Sequence, residues 1–340
     1  MQRKSLFIAA ILPLCLAGKV QWAGVNLFGL ANDVSILGSA YTSFMSTKCE
    51  PSYESYPFLD GISHYHSWKQ QGFNLFRIAI AWQHAQVELG GALNETNMVA
   101  VDKLVTAITG DGGKVILDIP ENSFLSPNIT VTNAHFTDLW EKLATRYQAN
   151  PNVIFQLMNE PHGLDIRKWG DTNQEAILGI RRITHNHTIL VSGTQFARLV
   201  DWRAFSQAGV GPGLIQDPAN KLMFDFHQYF DGLGGAYGVC EPWSGYVGEF
   251  QRVTEILRSA GAQAILTEFG GGPFPQCQHL LRRLLAFMDQ NDDVWHGWTA
   301  WGSFNVGSDL YLSLDRNSTF YKITSVIKEF APEKRRLLNQ

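Results

Sequence analysis

The chain has 340 residues, 45% hydrophobic and 17% charged, which is material for one large domain or two ordinary ones and unlike a disordered composition. A formal net charge of −4 excludes the basic field that holds a phosphate backbone, so nucleic acid is not an expected partner. Ten tryptophans suit a neutral ligand that stacks on flat apolar faces. Met1-Gln2-Arg3-Lys4 followed by the apolar stretch Leu6 to Leu16 has the basic and hydrophobic regions of a secretory signal. The expected organisation is therefore a signal over residues 1–17 and one mature domain over 18–340. The apolar run falls short of the roughly 20 residues of a bilayer span, so no membrane anchor is expected.

Four sequons, at Asn94, Asn128, Asn186 and Asn317, agree with an extracellular, glycosylated protein. Removal of the signal takes Cys15 and leaves Cys49, Cys240 and Cys277. In an oxidising compartment Cys240 is expected to pair with Cys277, in loops flanking one late stretch of chain, with Cys49 left over. There is no C-x-x-C pair or His-Cys cluster, so neither a metal nor another cofactor is expected.

Apolar strand-like runs follow in order: Gln21–Gly29, Phe73–Ile80, Lys114–Pro120, Val153–Pro161, Thr188–Gly193, Leu222–Phe230, Ala264–Gly270 and Trp295–Phe304. Between them lie stretches with apolar residues at three- and four-residue steps: Met98–Thr109, His135–Gln148, Thr172–Ile183, Gly245–Ala260, Cys277–Gln290 and Thr319–Phe330. Eight strand-helix repeats predict an α/β chain folded as a single-domain (β/α)8 TIM barrel, which typically takes about 250 residues plus insertions. A doubly wound sheet is the rival, but Gly24 to Gly29 lacks the G-x-G-x-x-G turn and no P-loop appears.

In such a barrel the carboxyl ends of the strands build one site. The fourth strand ends in Asn159-Glu160 and the seventh in Glu268. Two carboxylates facing each other across a barrel mouth are what glycoside cleavage needs, one to protonate the leaving oxygen and one to attack the anomeric carbon. Arg77 closes an apolar run, where its charge can keep a carboxylate ionised. His227 and Tyr229, two apart on the sixth strand, can face the same side, and Trp301 offers a platform for a sugar ring. Each alone also has a structural reading, as a barrel salt bridge for either glutamate with Arg77 or as packing for the others. The joint pattern is much harder to obtain from packing.

The segments "FRIAIAWQ", "FQLMNEPHG", "FDFHQYFD" and "AILTEFGGG", with the connecting "TNAHFTDLWEKLATRY", resemble the strand motifs of glycoside hydrolase family 5, in particular its fungal endo-β-1,4-glucanases. The resemblance runs from Val20 to about Phe330. It implies a retaining mechanism with Glu160 as acid/base, Glu268 as nucleophile kept ionised by Arg77 and Tyr229, and Glu160 kept protonated by a raised pKa. It further implies Asn159 on the 2-hydroxyl of the attacked sugar, His227 and Tyr229 positioning the glutamates, Arg77 supporting the nucleophile and Trp301 as the stacking floor.

The expected partner is a β-linked polysaccharide, β-1,4-glucan first, handled by a secreted monomer. One position departs from the family: its cellulases end the third strand in a His-Asn-Tyr type sequence whose His contacts the sugar, whereas this chain reads Pro120-Glu121-Asn122. Another β-glycan (mannan, β-1,3- or β-1,6-glucan, a small β-glucoside) and a sugar-binding barrel without turnover are the alternatives this departure opens, beside simple drift in a cellulase that keeps its substrate.

Overall fold

The computed structural model describes residues 19–27, 61–120, 130–231, 239–303, 314 and 322–332. The signal stretch, Cys49, Glu121, Asn122 and the sequons at Asn128 and Asn317 lie outside the described residues.

Strands β1 (Trp22–Leu27), β2 (Leu75–Ala79), β3 (Lys114–Pro120), β4 (Val153–Asn159), β5 (Ile189–Ser192), β6 (Leu222–His227), β7 (Gln263–Glu268) and β8 (Trp295–Ser303) are parallel neighbours in chain order and close on themselves. The helices are α1 (Gly61–Lys69), α2 (Trp82–Ala85), α3 (Glu95–Gly110), α4 (Asn133–Tyr147), α5 (Ile166–Ile183), α6 (Leu199–Asp201), α7 (Val247–Ser259), α8 (Pro275–Gln290) and α9 (Lys322–Glu329). This is the expected single-domain (β/α)8 barrel. No described helix is long and apolar enough to cross a membrane.

Local chemistry explains the helix starts. Thr132 and His135 form a reciprocal capping box on α4. Asp165 accepts from the Arg167 and Lys168 amides, which starts α5 six residues before the expected Thr172. Asn94 of the first sequon caps α3 by accepting from the Asn97 amide, and Asn186 lies exposed in the turn after α5.

Two apolar layers sit on either side of the barrel wall. Outside, the helices bury a large cluster against the strands, pegged by indole N–H groups: Trp140 of α4 donates to the Leu157 carbonyl and Trp169 of α5 to that of Ser192. Inside, Leu75, Ile116, Ile154, Leu190, Met223 and Ile265 close the barrel floor. Burying each of these side chains stabilises the fold by about 1.5–3 kcal/mol. At Gly24 an added Cβ would lie 1.4 Å from the Leu75 carbonyl oxygen, so β1 and β2 can pair there only because residue 24 has no side chain.

Cys240 and Cys277 are bonded, with Cα atoms 5.0 Å apart. Cys277 occupies the first turn of α8 rather than a loop, so the bridge ties the segment after β6 to the helix after β7.

Candidate active site

Two residues up each strand from the apolar floor, the barrel interior changes character. Leu75 is followed by Arg77, Ile116 by Asp118, Ile154 by Gln156, Leu190 by Ser192, Met223 by Asp225 and Ile265 by Thr267. Asn26 and Thr299 complete the ring from β1 and β8, and all eight of these polar residues are buried. The two-residue period of a strand puts each on the inward face, so burial is tolerable only if they satisfy one another.

Arg77 organises the ring. Its five N–H groups have five acceptors: Nε reaches Gln156 Oε1 at 2.6 Å, Nη1 reaches Asn26 Oδ1 at 2.7 Å and Glu268 Oε1 at 2.8 Å, and Nη2 reaches Asp118 Oδ2 at 2.9 Å and Asn159 Oδ1 at 2.6 Å. The nearby Asp118, Glu268 and Asp225 charges outweigh burial and raise the guanidinium pKa further, so it is a permanent cation.

Two irregularities aim the upper residues. Between Asp118 and Pro120 of β3 the paired stretch of β4 gains one residue, which turns Asn159 toward Arg77. Between Phe226 and His227 of β6 the facing β7 gains one residue, so Thr267 and Glu268 both present side chains to the interior. Glu160 follows β4 with φ +42°, a left-handed conformation costly for a residue with a Cβ and held here by its surroundings.

The two glutamates sit in different environments. Glu160 is a quarter exposed, and its Oε1 lies 2.8 Å from His227 Nδ1. Glu268 is sealed, with Oε1 accepting from Arg77 and Oε2 accepting from the Tyr229 hydroxyl at 3.0 Å, while His227 Nδ1 stands 3.5 Å from Oε2. Donor atoms of Glu160, His227 and Glu268 all fall within 4.8 Å of one another. A cation placed among them would have to displace these contacts beside the Arg77 charge, so the donor set suits proton sharing better than metal binding.

Burial pushes the Glu268 carboxyl up to about 7; His227 and Arg77 pull it down, the Glu160 charge pushes it up, and the Tyr229 hydrogen bond pulls it down. The expectation that Arg77 and Tyr229 keep Glu268 fully ionised is thereby corrected, because desolvation outweighs them. Burial likewise drives the Tyr229 phenol well above its ordinary value, which keeps it a hydrogen-bond donor.

Six of the seven expected site residues, Arg77, Asn159, Glu160, His227, Tyr229 and Glu268, meet in one hydrogen-bonded cluster. Tyr229 does so from beyond β6, which ends at His227 rather than Phe230. Trp301 is half-buried near the upper end of β8, where β8 gains one residue against β1, and its amide donates to the Phe269 carbonyl. Pro120 is buried at the end of β3, paired in register with Asn159, and has no side-chain group to offer a hydroxyl.

Sequence reasoning missed Asp118, Gln156, Ser192, Asp225 and Thr267, although a polar residue two positions after an apolar one recurs on strand after strand. It also missed the rim beside Glu160. There Gln195, Phe196 and Ala197 take consecutive left-handed conformations, with φ of 62°, 59° and 54°. The exposed Phe196 ring stacks on His162, centroids 4.3 Å apart, and its amide donates to the Pro161 carbonyl.

An eight-stranded barrel with two carboxylates this close at its mouth, backed by a buried cation, has the site of a glycosyl hydrolase. The family model for Cellulase (glycosyl hydrolase family 5) matches residues 42–304, and the chain belongs to this family of retaining enzymes. It is 31% identical over 311 residues to endoglucanase EG-II of Hypocrea jecorina, covering 86% of this chain and 72% of that protein. Endoglucanase 3 of Humicola insolens is 30% identical over 329 residues, covering 93% and 79%. Among solved structures, Cel5A (EG2) of Hypocrea jecorina superimposes with a TM-score of 0.77 at 28% identity, over 91% of this chain and 98% of that one. XacCel5A in complex with cellopentaose gives 0.78 at 27% identity, over 92% and 99%.

Proposed function

We propose that the chain is a secreted endo-β-1,4-glucanase, acting as a monomer, in which Glu268 is the nucleophile and Glu160 the acid/base. The division of roles rests on burial, sealed for Glu268 and a quarter exposed for Glu160, and the retaining course on an oxygen of each carboxyl group lying within 4.8 Å of the other. That is the spacing of double displacement, since an inverting pair leaves about 6.5–9.5 Å for a water. Glu268, sealed and aimed by Arg77 and Tyr229, attacks the anomeric carbon while Glu160, at the open rim, gives its proton to the departing glycosidic oxygen. Water then enters, Glu160 takes its proton, and the resulting hydroxide equivalent releases the sugar from Glu268.

Below about 7 the pair shares one proton, held at rest by the buried Glu268, and the reacting form is the one in which it sits on Glu160. The value near 7 marks loss of that last proton, so activity is expected to fall as pH rises through about 7. Asn159, oriented by Arg77, stands beside the pair for the 2-hydroxyl, Trp301 floors the attacked sugar, and the Phe196–His162 stack, tied to the Glu160 backbone through His162 Nδ1, offers a further ring surface at the rim. The names of the relatives favour β-1,4-glucan as substrate. Proline at position 120 leaves the family's third-strand histidine contact unreplaced by that residue, which keeps mannan and other β-glucans as the second reading.

The test is reducing-end release from soluble β-1,4-glucan, mannan, β-1,3-glucan and β-1,6-glucan by wild type, Glu268→Gln and Glu160→Ala. Release from β-1,4-glucan is expected for the wild type alone, and azide is expected to restore turnover of an activated aryl cellobioside by Glu160→Ala. Undiminished release by Glu268→Gln rejects the assignment of the nucleophile.

A further inference from the structure

Beneath the two glutamates a directed chain of hydrogen bonds runs through residues to which the proposed mechanism gives no part. It starts at Arg77, whose guanidinium can only donate. Gln156 therefore turns its Oε1 toward Arg77 Nε and its amide Nε2 toward Asp225, donating to Oδ2 at 2.7 Å. Ser192 Oγ donates to the same Oδ2 at 2.7 Å. The other carboxylate oxygen, Oδ1, lies 2.5 Å from Thr267 Oγ1. Thr267 Oγ1 in turn lies 3.0 Å from His227 Nε2, and His227 Nδ1 lies 2.8 Å from Glu160 Oε1.

A hydroxyl has one proton to give. With a carboxylate on one side, Thr267 gives it to Asp225 and turns a lone pair toward the imidazole, so His227 Nε2 must carry a hydrogen. The backbone of Thr267 is held in place for this, its carbonyl accepting from Asn26 Nδ2 at 2.9 Å and from Thr299 Oγ1 at 2.5 Å. Asp225, Gln156, Ser192 and Thr267 are all buried, so no solvent competes for the direction of the chain.

We propose that Asp225 and Thr267 are positioning residues that fix the hydrogen of His227 on Nε2, so that Nδ1 is bare and accepts a hydrogen bond from the protonated Glu160. The proposal rests on the assignment of Glu160 as acid/base. In the reacting form, with the shared proton on Glu160, its carboxyl donates to the bare Nδ1, an interaction that favours the protonated acid. When Glu160 passes its proton to the leaving oxygen, the lone pair at Nδ1 is left facing a carboxylate, which favours recovery of a proton from water in the second half-reaction. No proton is created or lost along the chain, whose hydrogens at Thr267 and Nε2 stay where they are.

The charged and titratable groups about His227 are Glu160 after β4, Asp225 on its own strand with Oδ2 3.9 Å from Nε2, and Glu268 of β7 with Oε2 3.5 Å from Nδ1. Arg77 of β2 and Tyr229 reach it through Glu268. The Arg198 backbone bridges to His227, but its guanidinium lies 3.2 Å from Asp201. Among these contacts only the Thr267 side touches Nε2 within hydrogen-bond distance.

Two measurements test this. Thr267→Val keeps the shape of the side chain and cuts the chain, freeing the imidazole to carry its hydrogen on Nδ1 and donate to an ionised Glu160. The expected result is kcat lower by about tenfold, KM within about twofold, and the alkaline limb of the pH profile moved down by about half a pH unit, with Thr267→Ser restoring all three. A folded Thr267→Val whose pH profile overlays the wild type overturns the proposal. Neutron diffraction from wild-type crystals does not depend on the variant folding. A deuteron on His227 Nε2 with the Thr267 deuteron directed at Asp225 sustains the proposal, and a bare Nε2 overturns it. Failure of the acid/base assignment would show separately, as activity retained in Glu160→Ala.

Discussion

Replacing Glu268 by Gln should make the protein more stable at high pH while removing its proposed nucleophile. The carboxyl goes from an ordinary value of 4.5 to about 7 on folding, chiefly because it is sealed from water. A carboxyl raised in this way binds more tightly to its proton in the folded state, so its contribution to stability is complete below pH 4.5 and is lost as pH rises through about 7. At about 1.4 kcal/mol per pH unit, the cost of ionisation above pH 7 comes to about 3–4 kcal/mol. Glutamine has the shape of the protonated acid, its Oε1 still accepts from Arg77 Nη1, and its amide can donate to the Tyr229 oxygen. It should therefore avoid that cost.

With 340 residues and an unfolding entropy of about 2.1 cal/mol/K per residue, about 3–4 kcal/mol corresponds to about 5 °C in melting temperature. The assay is calorimetric melting of wild type and Glu268→Gln at one scan rate, at pH 4.5 and pH 8. The expected result is coincident melting at pH 4.5 and a variant about 5 °C higher at pH 8. A variant that melts lower than wild type at pH 8 would mean that the attraction of Arg77 and His227 exceeds the desolvation of Glu268, and would refute the reasoning. The expected outcome is a stability–activity conflict located in one side chain.

Arg77→Lys exchanges a five-donor fork for a three-donor ammonium, which removes the guanidinium hydrogen bond from at least two of the acceptors on Asn26, Asp118, Gln156, Asn159 and Glu268. Urea unfolding should show a loss of about 3–5 kcal/mol, and a loss under about 1 kcal/mol would contradict the central role given to this residue. Cys277→Ser opens a bridge spanning 37 residues and should lower stability by about 4 kcal/mol, with reductant lowering the wild type to match. If the variant and the oxidised wild type unfold at the same denaturant concentration, the bridge contributes nothing.

Much of the barrel was readable because its strands are buried on both faces and therefore appear as short apolar runs between helical periods. Arg77, Glu160, His227 and Glu268 stood out as polar residues at or near the ends of those runs. Other parts depend on contacts that no local pattern records. Strict alternation along β7 would turn either Thr267 or Glu268 inward, and only the register shift against β6 allows both. The left-handed trio Gln195, Phe196 and Ala197 contains neither Gly nor Asn, so nothing in its composition marks a turn of that hand. The environment of Glu268 was misjudged for a similar reason. Sequence shows that a cation is available, while the depth of burial that outweighs it is a property of the closed barrel.

The ring of polar residues inside that barrel also bears on how the chain can be divided. Cut between β4 and β5, one fragment would hold Asn26, Arg77, Asp118 and Gln156, and the other Ser192, Asp225, Thr267 and Thr299 together with Glu268. The first would strand the Arg77 and Gln156 donors that reach across the seam, and the second would carry two acidic groups whose guanidinium lies in the other piece. Neither half can satisfy its interior alone, so the ring acts as a checkpoint on closure: partial barrels are penalised and the two halves are complementary to each other. A cluster assembled for chemistry thus also enforces cooperativity on the whole domain.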